Sequence, residues 1–178
     1  NHFLVAMPGL ADSSFAHSVT YICEHTEEGA MGVVINAPTS MQLSDIFAQM
    51  DMTNRSQYGE RRIMSGGPVH QDRGFVVHTG GLNWQSTIQV SESVYLTASK
   101  DIIASIADGS GPDEFLITLG YAGWGKGQLE DEIATNSWLT VPATPAVIFD
   151  TPIDQRWAAA ARPLGVDVNL MSGVAGHS

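Results

Sequence analysis

Apolar and polar residues change period several times along the chain, and the changes mark its elements. HFLVAM at 2–7 is a run of strand composition that Pro8-Gly9 ends with a turn. SVTYICEH alternates, with Val19, Tyr21, Cys23 and His25 on one face and Thr20, Ile22 and Glu24 on the other. Glu27, Glu28 and Gly29 form a polar turn before AMGVVIN, so 18–36 is predicted as a hairpin whose second strand Pro38 stops. The period then lengthens. Leu43, Ile46, Phe47 and Met50 recur at helical spacing, with Ser40 or Ser44 as the expected cap.

The centre is more β-like. RRIM, GFVVHT, STIQVS and VYLTAS are short runs separated by SGGP, GGLNW and Glu92-Ser93. Ser99 is positioned to cap KDIIASIAD, which places Ile102, Ile103 and Ile106 on one face before Gly109 and Gly111-Pro112 end it. FLITLG is predicted as a buried strand, followed by a helix from Gln128 to about Trp138. TPAVIF has strand composition, IDQRWAAAAR is a last helix stopped by Pro163-Leu-Gly, and MSGVAGHS is a small-residue, flexible tail by composition. Early hairpins followed by helices predict α+β rather than regular βαβ winding. The expected sheet is mixed, mainly antiparallel, with helices packed around it. With no internal repeat and no dividing linker, 1–178 is expected to form a single domain.

Composition narrows the function. Eight Lys plus Arg against 19 Asp plus Glu give a net charge of −11, which repels polyphosphate backbones and disfavours direct nucleic-acid binding. Arg55, Arg61, Arg62 and Arg73 fall in one segment opposed by Glu60 and Asp72, a pattern expected of a solvated face. One cysteine, Cys23, excludes an intrachain disulfide, and no apolar run approaches the ~20 residues a membrane helix needs. The chain opens at Asn1 rather than Met, so an upstream signal stays open; cytoplasm is the expectation.

Several motifs approach known chemistry. GYAGWGKGQ follows a strand and precedes a helix, as a phosphate-binding loop does, but Gly127 stands where a magnesium-binding hydroxyl belongs. Pro142 and Pro145 also break the strand that would support the metal, and 51 residues (178 − 127) are too few for the rest of such a core. The bland reading is a glycine-rich turn anchored by Tyr121 and Trp124, with Gly123 and Gly125 allowing close packing. Cys23 and His25 lack the further ligands zinc requires, and Ser65-Gly66-Gly67 lacks the upstream glycine of a nucleophile elbow. No catalytic residue, metal or cofactor is therefore expected. In SGGPVHQDRGFVVHTGG, Gly66-Gly67 can form an anion-binding turn, while Arg73 and His78 would share a site only through a bulge or turn at Gly74.

Taken together, HFLVAMPGLADSSFAHSVTYICEH, GAMGVVINAP, GGPVHQDRGFVVH, LGYAGWGKGQLEDEIATNSWL and GVDVNLMSGVAGHS resemble the AlgH family, also called YqgE-like. The resemblance covers nearly the whole chain. It implies a bacterial, cytosolic, single-domain α+β protein with a bent sheet partly closed like a barrel and helices around it. It supplies no catalytic residues, since the family is labelled a transcriptional regulator or simply uncharacterised. Ala37 replaces the basic residue usual between Asn and Pro, which weakens any anion site at Asn36, and the family pattern does not ask for Lys126. The leading expectation is a noncatalytic regulatory or interaction protein acting through a protein partner or small ligand, and indirectly where transcription is concerned. The alternative is a small-molecule binder or enzyme using Asn36, Arg73, His78, Tyr121 and Trp124, with Gly66, Gly67, Gly123 and Gly125 shaping the surface. Redox sensing by Cys23 is a third class.

Overall fold

The computed structural model describes residues 1–6 and 17–165. Along the chain they form β1 (His2–Ala6), β2 (Val19–Thr26), β3 (Gly29–Val34), β4 (Pro38–Gln42), α1 (Leu43–Gln49), β5 (Arg62–Ser65) and β6 (Val69–His78). There follow β7 (Thr87–Gln89), β8 (Tyr95–Thr97), α2 (Asp101–Asp108), β9 (Phe115–Trp124), α3 (Gln128–Ala134), β10 (Trp138–Pro142) and α4 (Arg156–Ala161). The class is α+β, and the strands pair antiparallel except for β5 with β9. The described residues group into two compact units, one drawn from Asn1–Asn36 and Ala122–Ser178, the other Ala37–Tyr121.

In the first unit the strand order is β10, β1, β2, β3 and then the Ala122–Trp124 end of β9. The predicted hairpin is present, with Thr20 opposite Val34 and Thr26 opposite Gly29. Its simple alternation is not. Val19 through Cys23 are all buried, and a register shift between Ile22 and Glu24 places Cys23 in a bulge. Leu4, Ile22, Trp124, Leu129 and Trp138 belong to one buried cluster of this unit.

The second unit orders its strands β4, β5, the Phe115–Tyr121 part of β9, β6, β8 and β7. Ile102, Ile103 and Ile106 of α2 and Leu43 and Phe47 of α1 bury their faces against Ile63, Val76 and Ile117. Each such side chain contributes about 1.5–3 kcal/mol by leaving water. The α1 face is as its period predicts, but its cap is different: the Asp45 carboxylate accepts the Gln42 N–H at 2.8 Å, while neither Ser40 nor Ser44 caps it. Lys100 is the residue at the N-cap of α2. Ser99 acts one position earlier, donating to Asp101 and accepting the Ser86 N–H.

Four further expectations change. Pro38 does end one strand but also opens β4, a first-residue position where its missing N–H is tolerated. The helix from Gln128 stops at Ala134 because Asn136 adopts φ 61°, a left-handed helix end, and Trp138 begins β10 instead. TPAVIF is not a strand: Pro145 starts a wide helical turn over Ala146–Asp150. GYAGW belongs to β9, so only Gly125–Gly127 form the turn before α3. The Pro8-Gly9 turn and the MSGVAGHS tail lie outside the described residues.

Candidate functional site

The candidate residues divide between the two units. Asn36, Gly123, Trp124 and Gly125 belong to the first; Gly66, Gly67, Arg73, His78 and Tyr121 belong to the second.

Those of the first unit do structural work. Asn36 Oδ1 accepts the Val19 N–H at 2.9 Å and its Nδ2 donates to the His17 carbonyl at 3.0 Å, which fastens the open end of the hairpin. Trp124 is buried, and its indole donates to Glu132 Oε1 at 3.1 Å. Trp138 donates to the same oxygen at 2.9 Å, and Gln128 Nε2 donates to Glu132 Oε2 at 2.9 Å. The two indoles meet edge to face with centroids 6.2 Å apart. Gly125 N–H is taken by Gln128 Oε1 at 2.9 Å, so the glycine turn satisfies its own helix start. Gly123 lies opposite Met31 in the β3–β9 ladder. Glu132 and Gln128 were the missed residues; their spacing of four on one helix face was the available signal.

In the second unit, Gly66 and Gly67 serve a close backbone crossing. Gly66 N–H donates to the Leu119 carbonyl at 2.7 Å, and a Cβ on Gly66 would stand 2.3 Å from the Gly120 carbonyl oxygen. His78 is fully buried. Its Nδ1 lies 2.7 Å from the Thr79 carbonyl, and its Nε2 lies 2.6 Å from Thr97 Oγ1, which is 2.7 Å from Thr87 Oγ1. Thr87 in turn donates to the Trp84 carbonyl at 3.0 Å. Because a carbonyl only accepts, Nδ1 carries a proton. The three links onward from Nε2 then have two hydroxyl protons in the neutral ring and three in the imidazolium. Burial opposes that charge and pushes the pKa below its ordinary value, with the Thr79 bond pulling the other way.

Arg73 is different. The ladder of β6 with β9 shifts register between Val69 and Gly74, so residues 70–73 bulge from the strand. His70 within the bulge holds φ 45°, a costly conformation for a residue with a Cβ. The bulge forms one rim of an open cleft of ≈ 660 Å³. Val76, Ile117 and Leu119 of the strands make the floor, with Ile46 of α1, Met50 just after that helix and Ile103 of α2 at its sides. Lys100 stands at the start of α2 on the rim, with His70, Asp72 and Arg73 from the bulge. The Arg73 guanidinium carbon is 5.5 Å from the Phe75 ring centroid. Tyr121 lies beside the bulge, 6.0 Å from the His70 ring and 5.7 Å from Phe75. Met50 and Ile103 were expected from the sequence only as apolar helix-face residues, and neither they nor Lys100 and Leu119 were expected in a site.

Two other arginines of the basic segment, Arg61 and Arg62, are exposed and also bind backbone carbonyls. Arg61 donates to the Phe115 carbonyl at 2.8 Å and covers that ring at 4.4 Å, and Arg62 donates to the Thr39 carbonyl at 2.7 Å. Burial pushes the Cys23 thiol up to about 12, so at neutral pH it is the weakly reactive protonated form. Among the described residues, no group of three or more His, Cys, Asp or Glu is placed to hold a metal ion. Nor is any helix among them long and apolar enough to cross a membrane.

The structure thus defines an α+β protein with a mixed, mainly antiparallel strand arrangement and an open, apolar-floored cleft with a charged rim. The chain belongs to the AlgH-like family, whose profile matches residues 3–169. It is 53% identical to a UPF0301 protein of Saccharophagus degradans, over 100% of this chain and 88% of that one. A UPF0301 protein of Thioalkalivibrio sulfidiphilus is 54% identical, with 100% and 96% covered. The solution structure of the AlgH protein from Pseudomonas aeruginosa superposes with a TM-score of 0.82 at 47% identity, covering 99% of this chain and 94% of that chain. A Corynebacterium diphtheriae protein shares the fold at TM-score 0.71 and 20% identity, over 91% and 85% of the two chains. This bacterial family is of uncharacterised function.

Proposed function

We propose that this protein is a noncatalytic, cytoplasmic regulatory protein that works by binding a small ligand in the cleft of the Ala37–Tyr121 unit. The observation that carries the reading is the cleft itself. Its volume falls within the ~300–1,000 Å³ of small-molecule sites, and it combines an apolar floor with a few polar groups at the rim. The strained His70 backbone beside it is the kind of local cost that collects at working sites. The regulatory part of the reading leans on the transcriptional-regulator label attached to the family it resembles, and the net charge of −11 favours action through a partner over reading DNA.

A thermal-shift screen of common metabolites and nucleotides tests this. A ligand at about 100 times its Kd adds about 2.7 kcal/mol, which raises Tm by roughly 5–10 °C for a chain this size. Ala98 lines the cleft, so Ala98→Trp fills it. The shift should vanish in that variant while its cooperative unfolding persists. A hit that shifts the variant as strongly as the parent would place ligand binding elsewhere.

A further inference from the structure

The charge of the rim runs against the charge of the chain. In a protein with eight basic residues and a net charge of −11, Arg73 and Lys100 both border the same cleft. Neither has an ion-pair partner among the described residues. The bordering carboxylate is Asp72, so the rim carries two cations and one anion, with His70 beside them. Asp101, next to Lys100, is already engaged by the Ser99 hydroxyl at 2.5 Å and the Gln85 N–H at 2.8 Å. Below this rim Ile46, Met50, Ile103, Ile117 and Leu119 give the lining an aliphatic stretch, beside the polar Gln49, Thr97 and Ser99. The rim thus offers an occupant a guanidinium and an ammonium, and the cleft offers it hydrocarbon.

Resting on the reading of the cleft as a ligand site, we propose that its ligand class is the organic monoanion with a flexible apolar tail, in its simplest form a free medium-chain carboxylate. The carboxylate sits between Arg73 and Lys100, and the tail lies along the aliphatic floor. The guanidinium, steadied over Phe75, is the anchoring group, because its planar donors match a carboxylate in two-point fashion. A phosphate dianion fits less well, since Asp72 shares the rim and repels the second charge.

The test is a calorimetric and NMR titration of the intact protein with octanoate, octanol and octylammonium, each kept below its aggregation concentration. Bulk attraction to a chain of −11 favours the ammonium; the rim favours the carboxylate. The expected order is carboxylate, then alcohol, then ammonium, with octanoate binding about five- to tenfold more tightly than octanol, as two exposed charge contacts allow. Lengthening the carboxylate should tighten binding about fourfold per methylene until the cleft is filled. The double variant Arg73→Gln/Lys100→Gln changes two exposed side chains and should reduce the carboxylate advantage to about onefold while leaving octanol affinity unchanged. If all three compounds shift the amides of Met50, Ile103 and Leu119 with equal affinity, the cleft reading stands and the anion preference is overturned. If none of them shifts those amides, both are overturned.

Discussion

Glu132 shows how one carboxylate can organise an aromatic segment. Its Oε1 receives the indole N–H of both Trp124 and Trp138, and its Oε2 receives Gln128. Glu132→Ala removes this shared acceptor and should destabilise the protein by about 2 kcal/mol in urea unfolding. Lys126→Ala, an exposed change in the same loop, should stay within about 0.5 kcal/mol. Equal effects would contradict the clamp. Burial of the His78 ring makes its contribution to stability depend on pH. Its folded pKa lies below the ordinary 6.5, so the unfolded chain binds the proton first as pH falls. The neutral ring's contribution is complete above pH 6.5 and declines from there down to the folded pKa. The stability difference between the parent and His78→Gln should therefore shrink between pH 7.5 and 5; a difference that grows over that window would refute the assignment.

Among the elements, β9 carries a sharp backbone constraint. Gly120 holds φ +80°, and a Cβ there would lie 2.4 Å from the Gly67 carbonyl oxygen, a contact with backbone that cannot rotate away. Gly127, at φ +74°, has nothing within 4 Å. Alanine at Gly127 should cost about 1–2 kcal/mol, the left-handed penalty alone. At Gly120 the clash adds to it, and a loss of more than about 3 kcal/mol is expected in chemical denaturation. Comparable losses at the two positions would remove the close-crossing account of Gly66, Gly67 and Gly120.

The same elements show what a sequence can disclose. The isoleucines of α2 were legible because period and burial agree, and the β2–β3 hairpin because the polar Glu27-Glu28-Gly29 turn separates two strand-forming runs, although burial in β2 does not alternate. The end of α3 was legible in principle, through Asn136 as a left-handed stop, but its acidic, helix-like composition carried the prediction on to Trp138. TPAVIF misled because β-type composition was overridden by Pro145 fixing a helical φ of −58°. Trp124 was legible as an anchor, though not as half of a clamp whose other half lies in β10. The cleft was hardly legible at all. Its floor depends on Val76 standing opposite both Ile117 and Thr97, and its walls on two helices distant in sequence. Periodicity says which face of an element is apolar but not which faces meet.

At the scale of the molecule, the division between units falls inside β9, at Tyr121–Ala122. We propose that the units nevertheless unfold together as one domain. Trp84 is the tryptophan of the Ala37–Tyr121 unit, while Trp124, Trp138 and Trp157 belong to the other, so Trp84→Phe makes fluorescence report one unit alone. Its midpoint should coincide with that of the far-ultraviolet circular dichroism. Two separated midpoints would mean two domains.

We propose that the cleft between α1 and α2 is the working surface of this protein. Amide chemical-shift mapping of the intact chain with a medium-chain carboxylate tests it most directly. Saturating shifts should cluster at Met50, Arg73, Lys100, Ile103 and Leu119 and disappear in Ala98→Trp. Shifts that never saturate, or that fall outside the Ala37–Tyr121 unit, would contradict it.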